Sequence, residues 1–151
     1  MINFRTDVIK TKLKIITENI ELVKENLPGK LSEFKALGLV KDGIYKRIEA
    51  SIQEVISICS IINSDLKLGI PSNREEIIVA LFRKKILSKK MSEKIKELKG
   101  FRNFLVHRYG TIDDEVAFKN IRNGLPDFKL FKEEILSYFK SSSGDEKTSE
   151  S

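Results

Sequence analysis

Residues 5–27 read RTDVIKTKLKIITENIELVKENL, and this stretch decides what kind of fold the chain builds. Its apolar side chains Ile9, Leu13, Ile16, Ile20, Val23 and Leu27 alternate steps of four and three. At about 100° per residue that spacing gathers all six onto one stripe of a long helix, with Lys, Glu and Thr on the other faces. A helix with a single apolar stripe must bury it against another element, and further helices are the natural cover. Pro28-Gly29 stops the pattern.

The same alternation returns in Ile48, Ile52, Val55, Cys59, Ile62 and Leu66, predicting a second long helix from about Asp42 to Leu66. Residues 30–43 are read as a connection with a helical turn near Ser32 to Leu37, so the first two long helices form an antiparallel hairpin. Gly69 to Pro71 ends the second helix, and Ser72 with Glu75 forms a capping box for a short third helix through Leu87, with Ile77, Ile78 and Leu81 inward. A fourth helix is expected from Ser88 or Ser92 to about His107, with Met91, Ile95, Leu98, Phe101 and Leu105 inward. Within it, Gly100 is read as a place for close backbone approach. Gly110 stops the fourth helix, Thr111 to Asp114 caps a fifth, and Gly124-Leu125-Pro126 breaks or kinks that fifth helix before Phe128, Phe131, Ile135 and Phe139 resume the spacing. There are no strand patterns, internal repeats or glycine-rich phosphate loops. The expected fold is all-α, an up-and-down bundle of about five helices. Residues 1–140 form its one domain, and SSSGDEKTSES at 141–151 is read as a disordered polar tail.

Composition bounds the function. A chain of 151 residues with 40% hydrophobic and 33% charged residues suits one soluble domain that needs no staples. One cysteine excludes an internal disulfide, and with a single histidine it argues against a Cys/His metal site. Cys59 falls in an apolar helical run and is read as a small core residue. The start is broken by Arg5, Asp7, Lys10 and Lys12, so it is no secretory signal, and Val55 to Ile62 is too short to span a membrane. A reducing, cytoplasmic setting is expected. Formal net charge is +6 overall and +8 for residues 1–140, which suits a polyanionic partner bound in a salt-dependent way. Arg83-Lys84-Lys85 and Lys89-Lys90 form a basic cluster that reads either as solvated surface or as an RNA contact.

The chemistry concentrates in Phe101-Arg102-Asn103-Phe104-Leu105-Val106-His107-Arg108-Tyr109, which holds the only histidine. On a helix, Arg102 and Tyr109 fall nearly on one line and Asn103 stacks below His107, so all four share an arc of roughly 160° while Phe101, Phe104 and Leu105 point away. An arginine clamps phosphate with a planar, permanently charged fork. A histidine moves a proton at neutral pH. Together they point to chemistry on a phosphodiester. A structural alternative, buried hydrogen bonds and helix-end capping, uses the same residues.

The spacing R-x4-H, extended to R-x4-H-x-Y in FRNFLVHRY, resembles the HEPN superfamily and within it the HepT-like ribonuclease toxins. The resemblance takes in residues 5–139, including Asp7-Val8-Ile9, Arg47 on the second long helix and Gly69-Ile70-Pro71-Ser72. It implies a metal-independent, cofactor-free endoribonuclease in which Arg102 holds the scissile phosphate and His107 acts as general base or acid. Asn103 supports them, and Arg47, otherwise an exposed charge beside the seam, becomes a second phosphate contact. It also implies a homodimer, or a multiple of one, whose two motif helices face across a shared cleft. The implied partner is a nucleotidyltransferase antitoxin of the MntA type that attaches AMP to Tyr109. The alternative under the same resemblance is a non-catalytic module that presents substrate or nucleotide to such a transferase.

Overall fold

The computed structural model describes residues 5–69, 74–107 and 112–150. They form α1 (Thr6–Asn26), α2 (Leu31–Lys35), α3 (Leu39–Asp65), α4 (Arg74–Arg83), α5 (Lys89–His107) and α6 (Asp114–Glu150), with no strand among the described residues. The all-α bundle is as expected, with one more helix than the five foreseen.

Helices α1 and α3 make the most extensive pairing. The four-three stripe of α1 is buried through Ile9, Leu13, Ile16, Ile20 and Val23, and that of α3 through Ile48, Ile52, Val55, Cys59 and Ile62. Polar rungs fix their antiparallel register. Arg5 binds Asp65 through its backbone N–H and Nε, both at 3.0 Å, Lys12 pairs with Glu54 at 3.0 Å, and Arg47 Nη1 donates to Asn19 Oδ1 at 2.7 Å. Helix α5 packs on another face of α3, and α6 closes the bundle against α1, α2 and α5.

The sixth element is α2. Five residues cannot hold a helix by propensity, and this one is anchored by Phe34, which is fully buried. Its ring stacks on Phe118 of α6 at 5.0 Å and meets Tyr45 of α3 edge-on at 5.8 Å. Helix α3 begins at Leu39, earlier than the expected Asp42, because the reversal is made at Gly38, whose φ of 60° and ψ of −124° suit only glycine.

Helix ends also correct the reading of the sequence. Helix α3 closes with Leu68 N–H donating to Asn63 and Lys67 N–H to Ser64, and α4 closes with Ile86 N–H donating to Leu81 and Lys85 N–H to Phe82. These are Schellman turns, and the left-handed position that usually takes glycine is held by Lys67 (φ 54°) and Lys85 (φ 61°). Helix α4 therefore stops at Arg83, short of Leu87, while α3 ends at Asp65, within one residue of the expected Leu66. Ser72, of the expected capping box, lies outside the described residues, as do Gly110 and Thr111. Pro126 does not break α6, which runs through it. The proline lacks one N–H, but Leu125 and Phe128 on either side are buried and hold the segment in register. Among the described residues a Cβ built on Gly100 would meet nothing within 4 Å, so they do not provide the expected close approach. Phe139 is the last described residue packed against the core, while the α6 backbone continues through the polar segment to Glu150. The division of the chain at residue 140 stands as a proposal that rests on where core contact ends.

Phe34→Ala is expected to lower unfolding stability by about 3–5 kcal/mol in urea titration, the range for deleting a buried aromatic. A loss below about 1 kcal/mol would show that α2 is not held by this ring.

Candidate active site at the end of α5

Ser88 starts the motif helix. Its Oγ accepts from the Met91 N–H at 3.0 Å, and its own N–H and hydroxyl donate to the two carboxylate oxygens of Glu134 on α6, each at 2.7 Å. Met91, Ile95, Leu98 and Leu105 are then buried, and Phe101 and Phe104 stack at 6.0 Å as partly buried neighbours of the core. That apolar face fixes the rotation of α5 and sends the polar face outward. Asn103 and His107 are exposed and Arg102 is half-buried. Arg102 Nε is sealed from solvent with no hydrogen-bond partner among the described residues. Such an orphan donor costs about 1–3 kcal/mol, and orphans of this kind concentrate where function holds them. Helix α5 ends at His107, and Tyr109 lies outside the described residues.

Beside the end of α5 is a cavity of about 490 Å³ lined by Lys41, Tyr45 and Glu49 of α3, Leu105 of α5, and Ile112 and Asp114 at the entry to α6. Asp113 caps α6, its Oδ1 accepting from the N–H groups of Glu115 (3.0 Å) and Val116 (3.2 Å). This leaves Asp114 free to accept from Lys41 Nζ at 2.8 Å and from the Tyr45 hydroxyl at 2.6 Å. Burial alone would raise the Asp114 carboxyl, but the two hydrogen bonds and the Lys41 charge outweigh it and hold the group below the usual carboxylate range. Burial, then the bond to Asp114, pushes the Tyr45 phenol far above its ordinary value. This trio was not legible in the sequence. Its one local signal is the doubled acid Asp113-Asp114, where one carboxylate suffices for the cap.

Arg47 is not brought to the motif. It sits on the α1 side of α3 as a rung of the α1–α3 register, bonded to the nearly buried Asn19. The basic cluster at residues 83–90 surrounds the start of α5, some 27 Å along the helix axis from His107. There, Arg83, Lys85 and Lys89 share a groove with Glu133 and Glu134. Cys59 is buried, and burial pushes its thiol up to about 12, as suits a core residue. Among the described residues no helix is long and apolar enough to cross a membrane, and no three His, Cys, Asp or Glu side chains are grouped to hold a metal ion.

A helical bundle that sets an exposed asparagine and histidine beside a half-buried arginine at the end of one helix has the arrangement of the HEPN class. The family model described as ribonuclease HepT-like matches residues 16–135, and the chain belongs to that family. It is 25% identical over 125 residues to the mRNA nuclease HepT of Shewanella oneidensis, covering 83% of this chain and 93% of the relative. It is 28% identical over 142 residues to the tRNA nuclease HepT of Aphanizomenon flos-aquae, covering 91% and 94%. Among solved structures it is similar to the tri-AMPylated S. oneidensis HEPN toxin in complex with the MNT antitoxin. That likeness has a TM-score of 0.76 at 24% identity and covers 87% of this chain and 98% of that one. It is also similar to the Bacillus subtilis cytosolic protein YutE, with a TM-score of 0.79 at 15% identity, covering 94% and 95%.

Asp114→Asn tests the trio by pH. A depressed folded-state pKa contributes stability above the unfolded value near 4, and that contribution is lost as pH falls through the folded value. The native chain is expected to exceed the variant by about 1.5–3 kcal/mol at pH 7, with the gap closing below about pH 4. A gap that stays constant from pH 7 to 3 in denaturant titrations would exclude the charged bond as its cause.

Proposed function

We propose that this chain is a metal-independent endoribonuclease, the toxin of a toxin–antitoxin pair, acting as a homodimer whose two motif helices form one cleft. The observation that carries the reading is the end of α5, where His107 stands exposed and Arg102 lies half-buried little more than one turn before it. It is supported by membership of a ribonuclease family and by relatives named for mRNA and tRNA cleavage.

RNA carries its own nucleophile. His107 takes the proton of the 2′-hydroxyl, the 2′-oxygen attacks the adjacent phosphorus, and the bond from phosphorus to the 5′-oxygen breaks. The products are a 2′,3′-cyclic phosphate and a 5′-hydroxyl. The leaving oxygen needs a proton, and one imidazole cannot serve both ends of a single step. The second copy's histidine supplies it across the dimer cleft. Arg102 binds the phosphate and stabilises the charge that grows on its oxygens. Asn103, exposed one turn before His107, orients the imidazole or donates to phosphate. Arg47 enters only as a supporting contact to RNA crossing the α1–α3 edge.

A nucleotidyltransferase antitoxin of the MntA type is the proposed partner, and AMP attached to Tyr109 is the proposed means of inhibition. Each adenylate brings negative charge next to the groups that must receive the RNA phosphate. The fold is similar to that of an AMPylated toxin in complex with its antitoxin, which supports this reading.

Purified dimer is expected to cleave RNA but not its 2′-deoxy counterpart. His107→Ala should slow cleavage by about 10²–10⁴-fold and Arg102→Ala by about 10²–10³-fold. Because His107 is exposed, its variant should melt with the native chain. Equal cleavage by all three proteins would trace the activity to a contaminant. Co-expression with a neighbouring nucleotidyltransferase gene is expected to add whole adenylate masses to the peptide bearing Tyr109, and Tyr109→Phe should abolish the increase. Adenylates mapping to another residue would refute the assignment.

A further inference from the structure

Arg102 Nε is one of two buried side-chain polar atoms left without a partner among the described residues, and the other is Gln53 Oε1 on α3. One is an obligate donor and the other an acceptor.

Their places in the fold correspond. Helices α3 and α5 pack antiparallel, and two cavities lie along their contact, one shared with Ile77 and Ile78 of α4 and the other with Ile112 and Asp114 at the entry to α6. One is lined by Ile56, Cys59 and Ser60 of α3 with Ile95 and Lys99 of α5. The other, near the motif end, is lined by Lys46 and Glu49 of α3 with Leu105 of α5. Gln53 lies one turn after Glu49 and one turn before Ile56, on the α3 stripe that joins the two cavities. Arg102 lies three residues after Lys99 and three before Leu105, on the matching α5 stripe. The register that seats Cys59 beside Ile95 and Lys99 therefore brings Gln53 and Arg102 to the same level of the two helices.

We infer that Gln53 is a positioning residue for the nuclease reaction, accepting the Arg102 Nε–H when RNA engages so that the two Nη groups are fixed toward the phosphate. A guanidinium tethered at Nε keeps its bidentate edge for the ligand and loses its freedom to swing. Left unpaired in the free protein, the two groups become paired as the phosphate draws the guanidinium into line. The inference rests on the nuclease reading, but the pairing itself can be read without turnover.

The experiment compares native dimer, Gln53→Met, Gln53→Glu and Arg102→Ala on one RNA. Methionine fills the space without an acceptor, and glutamate restores one. Gln53→Met is expected to lower kcat by about 10- to 100-fold with KM little changed. Its melting temperature should hold, because it removes an unpaired buried oxygen. Gln53→Glu is expected to keep near-native kcat. If the native chain cleaves and Gln53→Met cleaves equally fast, or both Gln53 variants fall together, the positioning role is overturned and the nuclease reading stands. If the native chain does not cleave, the nuclease reading falls, and the pairing is still decided by a second readout. This is the NMR exchange rate of the Arg102 Nε–H, assigned by its loss in Arg102→Lys. With 2′-deoxy-substituted RNA bound, exchange should slow in the native chain and in Gln53→Glu. An unchanged rate in the native chain overturns the pairing whether or not Gln53→Met folds.

Discussion

The antiparallel seam between α1 and α3 is the constraint on which the rest of the molecule depends. Its apolar stripes would interdigitate almost as well if slipped by one turn, because a four-three repeat is nearly the same at every turn. The polar rungs remove that freedom. Arg5, Lys12 and Asn19 stand seven residues apart on α1 and meet Asp65, Glu54 and Arg47 in descending order along α3. A slip would leave Asn19, nearly buried, without Arg47. Exposed ion pairs contribute little energy, so these rungs matter more for the register they select than for the stability they add. Ser51 is buried within the seam and spends its hydroxyl on the Arg47 carbonyl at 2.8 Å, which lets the backbones approach without an unsatisfied group.

Once α3 is fixed by α1, its other faces become a template. Helix α5 is laid along one of them, and its rotation follows from Met91, Ile95, Leu98 and Leu105 reaching the core. Ser88 and Glu134 then tie its start to α6. The outward direction of His107 and the half-burial of Arg102 are consequences of that rotation, so the site inherits its geometry from core residues far from it. The Lys41–Tyr45–Asp114 trio does the same for the entry to α6, joining two elements that are remote in sequence.

This division explains what could be read from the chain. The long helices were legible because each apolar stripe is written in consecutive turns. Arg102, Asn103 and His107 were legible as candidates because they lie on adjacent turns of one helix. The short α2 was seen only as a turn, since its anchor Phe34 acquires meaning from Phe118, 84 positions away. Lys85 hid the end of α4 because lysine carries no signal for a left-handed turn. Asp114 was invisible for the same reason as Phe34: its partners, Lys41 and Tyr45, are supplied by packing. Arg47 shows the converse, a charge on the right helix whose side chain is committed to the wrong neighbour for the motif.

The placement of the motif at a helix end sharpens what Arg102 must do. The C-terminus of a helix presents unpaired carbonyls and the negative end of the dipole, the opposite of an anion site. The adjoining cavity sets Asp42, Glu49 and Asp114 against Lys41 and Lys46, so its lining carries no surplus positive charge. On the nuclease reading, an RNA phosphate is therefore held by directed guanidinium hydrogen bonds rather than by general attraction. Affinity and rate then rest on how well each guanidinium is aimed. A second copy of the motif doubles the forks as well as the imidazoles. On the proposed regulation, adenylation of Tyr109 would then be an effective block: where there is no surplus attraction, a few added phosphates are enough to repel what little binds there.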